Sequence, residues 1–133
     1  MKRVCFTILL IGFSIYGKAQ NPNIDELKQR LMGIWQNVAD SNQLLNILQD
    51  NIAVIDSNKV ILTYTYSFNR ESCNATEQLP AAAGVYLLET YNGKSVCCAI
   101  GELSPTTLKI TYPAGKQVTY KTRSGLPPNI KPQ

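Results

Sequence analysis

The sequence predicts an all-β protein, an eight-stranded antiparallel up-and-down barrel with a short N-terminal helix. Three observations lead to this prediction. A helical pattern stops at Gly33, the only tryptophan follows as Trp35, and short apolar runs separated by turn residues then continue almost to the end. Closure of so many short strands into a barrel removes exposed sheet edges. Because strand spacing alone does not distinguish the two architectures, a β-sandwich is the alternative.

The first 19 residues have the pattern of a cleaved signal peptide. Met1 to Arg3 is positively charged, Val4 to Tyr16 is mostly apolar, and Gly17-Lys18-Ala19 supplies small residues at a cleavage site. The apolar run is too short for a stable membrane span. We therefore expect a signal peptide at 1–19, a single barrel domain at 20–123 and a Pro-rich tail at 124–133. The mature protein is expected in the periplasm or outside the cell, without a lipid anchor.

Composition excludes several classes of function. The chain has 13 basic and 9 acidic residues, but Lys2, Arg3 and Lys18 leave with the signal peptide, so the net charge falls from +4 to +1. No basic cluster remains that would indicate nucleic-acid binding. The chain has no histidine, the commonest metal ligand and general base. It also lacks a phosphate-binding glycine loop and a nucleophile elbow, so we expect no metal, no cofactor and no enzymatic activity.

The N-terminal helix is predicted from apolar residues at spacings of three and four. These residues share one face over two to three turns: Ile24, Leu27, Leu31 and Ile34. Asn23 or Asp25 can cap the helix, and Gly33 is expected to end it. We expect this helix to cover one end of the barrel, with Trp35 buried beneath it.

Eight strands are predicted from Ile34 onward. The strongest runs from Val60 to Phe68, where large apolar side chains alternate with Thr and Ser and only Ile61 departs from the pattern. Asn92-Gly93 is the strongest hairpin signal, and 69–83 is a longer connection. The predicted strands are 34–39, 44–48, 52–55, 60–68, 85–91, 95–101, 107–112 and 116–122.

Two short motifs and the strand succession resemble a known family. Leu31-x-Gly33-x-Trp35 follows the helix, and Cys97-x-x-Ile100-x-x-Leu103-Ser104-x-x-x-Leu108 lies late in the eight-strand meander. This combination is similar to the secreted lipocalin-like domain proteins of Gram-negative bacteria, and Gly-x-Trp is similar to the signature of lipocalins in general. The resemblance implies a calycin-type barrel but little about activity. The chain is shorter than typical lipocalins and has no long helix after the last strand.

Three cysteines lie beyond the signal peptide: Cys73, Cys97 and Cys98. One disulfide and one free thiol are the simplest arrangement in an exported protein. Strand alternation places Cys98 on the face of Val96 and Ile100, which we expect to be buried, and Cys97 on the opposite face. Cys97 is therefore favoured as the partner of Cys73, with Cys98 as the alternative.

Aromatic residues and one carboxylate form the candidate ligand site. Tyrosines on the apolar strand faces either line a pocket that offers a few hydroxyls or simply fill the barrel. Glu89 interrupts an apolar alternation, so it either points inward with a raised pKa and a ligand partner or lies on a wet face. The candidate residues are Trp35, Tyr64, Tyr66, Glu89, Tyr112 and Tyr120. The predicted function is binding of a small apolar or amphipathic ligand. The alternative is a solid interaction domain whose protein partner the sequence does not identify.

Overall fold

The chain forms a closed barrel of eight strands, each antiparallel to the next. The computed structural model describes residues 23–71, 73, 81–128 and 130. The predicted signal peptide and its cleavage site lie outside these residues, as do parts of the 69–83 connection and of the tail. β8 pairs with β1, with Tyr120 opposite Asn37, which closes the barrel. The barrel prediction is therefore confirmed, and the β-sandwich alternative is excluded.

Among the described residues, one helix precedes the strands. The order of the strands along the chain is their order around the barrel. A single-turn 3-10 helix, Pro113–Gly115, lies between the last two strands. The elements are α1 Ile24–Leu31, β1 Gly33–Asn37, β2 Gln43–Ile47, β3 Asn51–Asp56, β4 Lys59–Asn69, β5 Tyr86–Tyr91, β6 Lys94–Leu103, β7 Thr107–Thr111 and β8 Gln117–Arg123.

The strand pairing shifts its register at two places, one in β4 and one in β6. Val54 pairs with Leu62 and Ile55 pairs with Val60, so Ile61 is an extra residue in β4. In such a β-bulge, two residues of one strand lie opposite one residue of its neighbour, and the Ile61 side chain is 48% exposed. A second shift between Ile100 and Glu102 lets β6 continue beyond its predicted end at residue 101.

The helix is shorter than predicted. Asn23 is the N-cap, and its side chain accepts a hydrogen bond from the backbone N–H of Asp25 at 3.1 Å. The helix ends at Leu31, so Ile34, predicted on its apolar face, lies in β1 instead. Gly33 does not cap the helix but begins the strand at a φ of 136°, a conformation that glycine adopts without steric cost.

Trp35 is buried beneath the helix, as predicted. Its side chain is 1% exposed, and its indole Nε1–H donates a 2.7 Å hydrogen bond to the backbone carbonyl of Leu31. That carbonyl lies at the end of the helix, where the last carbonyls have no partner within the helix. The bond therefore fixes the helix to the barrel end, while Leu27 and Leu31 supply its buried face.

The two ends of the barrel differ in construction. The helix end lies below α1, together with the turns after β2 and β6. The distal end holds the turns after β1, β3, β5 and β7. The turn after β5 has positive φ at both Asn92 and Gly93, the geometry expected of a tight hairpin. Since Leu108 and Ile110 are fully buried in the middle of β7, the barrel is solid there and the distal end is a separate region.

Cys73 and Cys97 form a disulfide, with Cα atoms 5.7 Å apart. Cys98 is free and fully buried. The predicted pairing is therefore confirmed, and so is the alternation that placed Cys98 inward. Val96 shares the inward face of β6 but is 42% exposed, because this face opens into a cavity at the distal end.

Candidate ligand-binding site

A pocket of about 360 Å³ lies at the distal end, between β4, β5 and β6. Glu89 of β5 is directly opposite Val96 of β6, and Tyr91 is opposite Lys94, so these four side chains share one face. Strand β4, which pairs with β5 on its other side, adds Leu62 and Tyr64. We call this cavity the distal pocket, and it is lined by Leu62, Tyr64, Glu89, Tyr91, Asn92, Lys94 and Val96.

Glu89 is the only acidic residue among those that line the distal pocket. Its Oε1 accepts a 3.0 Å hydrogen bond from the hydroxyl of Tyr64. Burial disfavours the charged carboxylate and raises the pKa of Glu89 to about 7, although the bond from Tyr64 acts in the opposite direction. The ion pairs among the described residues involve other carboxylates, so no cationic side chain among these residues pairs with Glu89.

Three tyrosines around Glu89 keep their protons. Burial is the main cause that raises the pKa of Tyr64, Tyr112 and Tyr120, and the negative charge of Glu89 raises each of them further. A hydrogen-bonding interaction between Tyr112 and Tyr120 raises the pKa of Tyr112 and lowers that of Tyr120. These hydroxyls are therefore neutral donors at physiological pH.

The thiol of Cys98 belongs to the same electrostatic group. Burial and then the charge of Glu89 raise its pKa. Because the thiolate is the nucleophile and metal ligand, a buried thiol with a raised pKa is chemically inert. Among the described residues, no group of three or more acidic or cysteine side chains could hold a metal ion.

A second cavity, of about 560 Å³, is lined by residues of β1, β2 and β8 and of the turns that follow β1 and β7. Tyr112 and Tyr120 line it, together with Asn37, which is buried. The Asn37 amide donates to the side-chain oxygen of Gln43 at 2.9 Å and accepts from the backbone N–H of Ala39 at 2.9 Å. This cavity is more polar than the distal pocket, which is the more apolar of the two sites.

The six predicted site residues fall into three groups. Tyr64 and Glu89 line the distal pocket, while Tyr112 and Tyr120 line the second cavity and interact with Glu89. Trp35 lies at the helix end, and Tyr66, whose backbone pairs with that of Glu89, directs its hydroxyl to the same end. The hydroxyl of Tyr66 donates a 2.6 Å hydrogen bond to the backbone carbonyl of Leu48.

Sequence reasoning missed five residues that line the distal pocket: Leu62, Tyr91, Asn92, Lys94 and Val96. A signal for three of them was present. A two-residue Asn-Gly hairpin fixes the register of its strands, so Tyr91 must lie opposite Lys94 and Glu89 opposite Val96. Leu62 could not be assigned in this way, because the bulge at Ile61 shifts the register of β4.

Comparison of the chain with protein-family models, with curated proteins and with solved structures finds no match. The closed barrel is compatible with a calycin-like fold. Within the described residues, none of the helical segments has the length and apolar character needed to cross a membrane.

Proposed function

We propose that this protein is an exported, lipocalin-like binding module for a small apolar or amphipathic ligand, held in the distal pocket. One observation carries the proposal: apolar walls of the pocket remain accessible to solvent. Tyr91 is 50% exposed and Val96 is 42% exposed, although both lie on the strand face that is buried farther along the barrel. Exposed apolar side chains that line a concavity are typical of ligand sites.

The composition of the distal pocket supports the same proposal. Its volume of about 360 Å³ lies within the range of small-molecule sites, roughly 300 to 1,000 Å³. Leu62 and Val96 offer apolar surface, while Glu89 and Tyr64 provide a few polar groups that can orient a ligand. The solid-core alternative describes the helix end better than the distal end, since Trp35 and its neighbours fill the barrel there.

Export is part of the proposal. A disulfide persists in oxidising compartments and is rare where thiols are kept reduced, so the Cys73–Cys97 bond is in keeping with export. We infer binding rather than catalysis because the groups around Glu89 are poor nucleophiles. The pKa of Cys98 and those of the tyrosines are raised, so they hold their protons.

The test is binding of an uncharged apolar fluorophore, N-phenyl-1-naphthylamine, to the purified protein. Val96→Trp should fill the distal pocket and weaken binding by at least about tenfold, a difference of roughly 1.4 kcal/mol. Leu48→Trp is the matched control, since Leu48 is exposed and does not line the pocket. Absence of binding to the parent protein, or equal binding by both variants, would contradict the proposal.

A further inference from the structure

We propose that the ligand of the distal pocket carries a positively charged ammonium group, which pairs with the carboxylate of Glu89. This inference rests on the proposed function and names the class of ligand. It identifies an organic cation with an apolar body, in preference to an alcohol or a fatty acid. The structure supports it through the position of Glu89, its free acceptor capacity and the aromatic rings beside it.

Glu89 is an acidic side chain placed where an apolar one would normally lie. On β5 it follows Leu87 on the inward face, and Leu87 is fully buried. A partly buried carboxylate without a cation is unfavourable, because burial removes water from the charge and the hydrogen bond from Tyr64 compensates only in part. By contrast, the carboxylates that do form ion pairs lie at the surface, in the pairs Lys28–Asp50, Arg30–Glu26 and Lys109–Glu102.

The carboxylate of Glu89 keeps acceptor capacity for a ligand. An ionised carboxylate has about four acceptor sites, and Tyr64 donates one hydrogen bond to Oε1. Among the described residues, no buried side-chain oxygen or nitrogen lacks a hydrogen-bond partner. The remaining acceptor sites of Glu89 are therefore open to the pocket that the residue lines, not enclosed in the core.

Two aromatic rings strengthen the preference for a cation. Tyr64 and Tyr91 line the same pocket as Glu89. The negative face of an aromatic ring attracts an ammonium group within about 6 Å, and this attraction increases when water is excluded. A carboxylate flanked by two such rings favours an organic cation over a neutral ligand, and it repels an anion.

Lys94 is the one charge of opposite sign that lines the distal pocket. Its side chain is exposed at the start of β6, so water and salt screen its interaction with a ligand. Glu89 is less exposed, and the same charge acts more strongly there because the effective dielectric constant is lower. We therefore expect Glu89 to determine the sign of the preferred ligand charge.

Binding of a permanent cation should depend on pH through Glu89. The titratable groups that interact with Glu89 are Tyr64 of β4, Cys98 of β6, Tyr112 directly after β7 and Tyr120 of β8. Their raised pKa values keep them neutral between about pH 5 and 8.5. With Lys94 screened at the rim, Glu89 is the group that changes charge over this interval. Affinity for the cation should rise with pH, as the carboxylate ionises.

The test compares three probes that share an eight-carbon chain: octyltrimethylammonium, octan-1-ol and octanoate. Their affinities are measured by displacement of N-phenyl-1-naphthylamine at pH 5 and at pH 8.5. The ammonium probe should bind at least about tenfold more tightly than octan-1-ol at pH 8.5, and this advantage should shrink at pH 5. Glu89→Gln keeps the shape of the side chain and should abolish the advantage.

Glu102→Gln is the matched control, because Glu102 pairs with Lys109 on the surface and does not line the pocket. This variant should retain the preference for the ammonium probe. The comparison of probes and of pH values in the parent protein tests the inference even if Glu89→Gln does not fold. Equal or tighter binding of octan-1-ol or octanoate would overturn the charged-ligand inference and leave the binding function intact. If the fluorophore binds but no probe displaces it at millimolar concentration, the charged-ligand inference fails and the binding function stands. If the fluorophore itself does not bind, both proposals fail.

Discussion

The helix end and the distal end of the barrel use polar side chains in opposite ways. At the helix end, Trp35 and Tyr66 each donate to a backbone carbonyl, at 2.7 Å and 2.6 Å. These bonds join the barrel to α1 and to the turn after β2, and the apolar bodies of both side chains are buried. Their polar groups complete the backbone of the barrel, so these residues are structural.

At the distal end, polar side chains bind one another around open space. Tyr64 donates to Glu89, and Tyr112 interacts with Tyr120, while the apolar side chains beside them remain exposed. The difference shows that inward-facing tyrosines have no single role in a small barrel. The partner of the hydroxyl distinguishes the two roles: a backbone carbonyl accompanies a filled interior, and another side chain accompanies a cavity.

The largest expected effect tests the structural role of the helix end. Trp35→Ala should destabilise the protein by roughly 3–5 kcal/mol, because it removes a fully buried ring and its hydrogen bond to Leu31. Denaturant unfolding followed by far-ultraviolet circular dichroism measures this. Tyr91→Ala, at the exposed wall of the distal pocket, is the control and should cost less than about 1 kcal/mol. If Trp35→Ala lowers the free energy of unfolding by less than about 1 kcal/mol, the helix end does not have the structural role assigned to it.

Loss of the disulfide should have the next largest effect. Cys97→Ala opens a link between residues separated by 24 positions and should reduce the free energy of unfolding by roughly 3 kcal/mol, most of it through the unfolded chain. Cys98→Ala removes a buried thiol but no cross-link, so it should reduce the free energy of unfolding by a smaller amount. Denaturant unfolding of the two variants under oxidising conditions makes the comparison. Equal stability of both variants, or a Cys73–Cys98 peptide in a non-reducing digest, would contradict this assignment.

The smallest expected effect concerns Glu89 and is visible only as a pH dependence. Its pKa in the folded state, about 7, is above the ordinary 4.5. The folded state therefore holds this proton more tightly than the unfolded chain does. The associated stability is fully present below about pH 4.5 and is lost as the pH rises through 7.

The parent protein should lose about 1–3 kcal/mol through this group between pH 4.5 and 8.5, and Glu89→Gln should not. Urea unfolding of both proteins at several pH values measures the difference. Parallel stability profiles for the two proteins would show that Glu89 is ionised in the folded state as easily as in water.

Local patterns were sufficient to predict most of the barrel. Alternation in β4 and in β6 and the Asn92-Gly93 turn each depend on neighbouring residues, so the strands were predictable, and so was the choice of Cys97 over Cys98 as the partner of Cys73. Errors arose where a single residue changes the strand register or the end of an element. The extra Ile61 shifts the register of β4, and Gly33 begins a strand where a helix cap was expected.

The candidate site was less predictable because it depends on depth along the barrel. Alternation places Val96 and Cys98 on the same face, yet Cys98 is fully buried while Val96 is 42% exposed. A sequence pattern gives the face of a side chain but not its distance from the barrel end. For the same reason, the sequence did not distinguish Tyr64 from Tyr66, two residues apart on β4. The hydroxyl of Tyr64 bonds to Glu89, whereas that of Tyr66 bonds to the turn after β2.

The most direct test of a solid helix end and a binding distal end is a nuclear magnetic resonance titration with N-phenyl-1-naphthylamine. We expect the backbone amide shifts to change at the distal pocket, around Tyr64, Glu89 and Val96, and to stay constant near Leu27, Leu31 and Trp35 at the helix end. Shift changes centred on Trp35, or spread evenly over the barrel surface, would contradict the assignment of the binding site to the distal end.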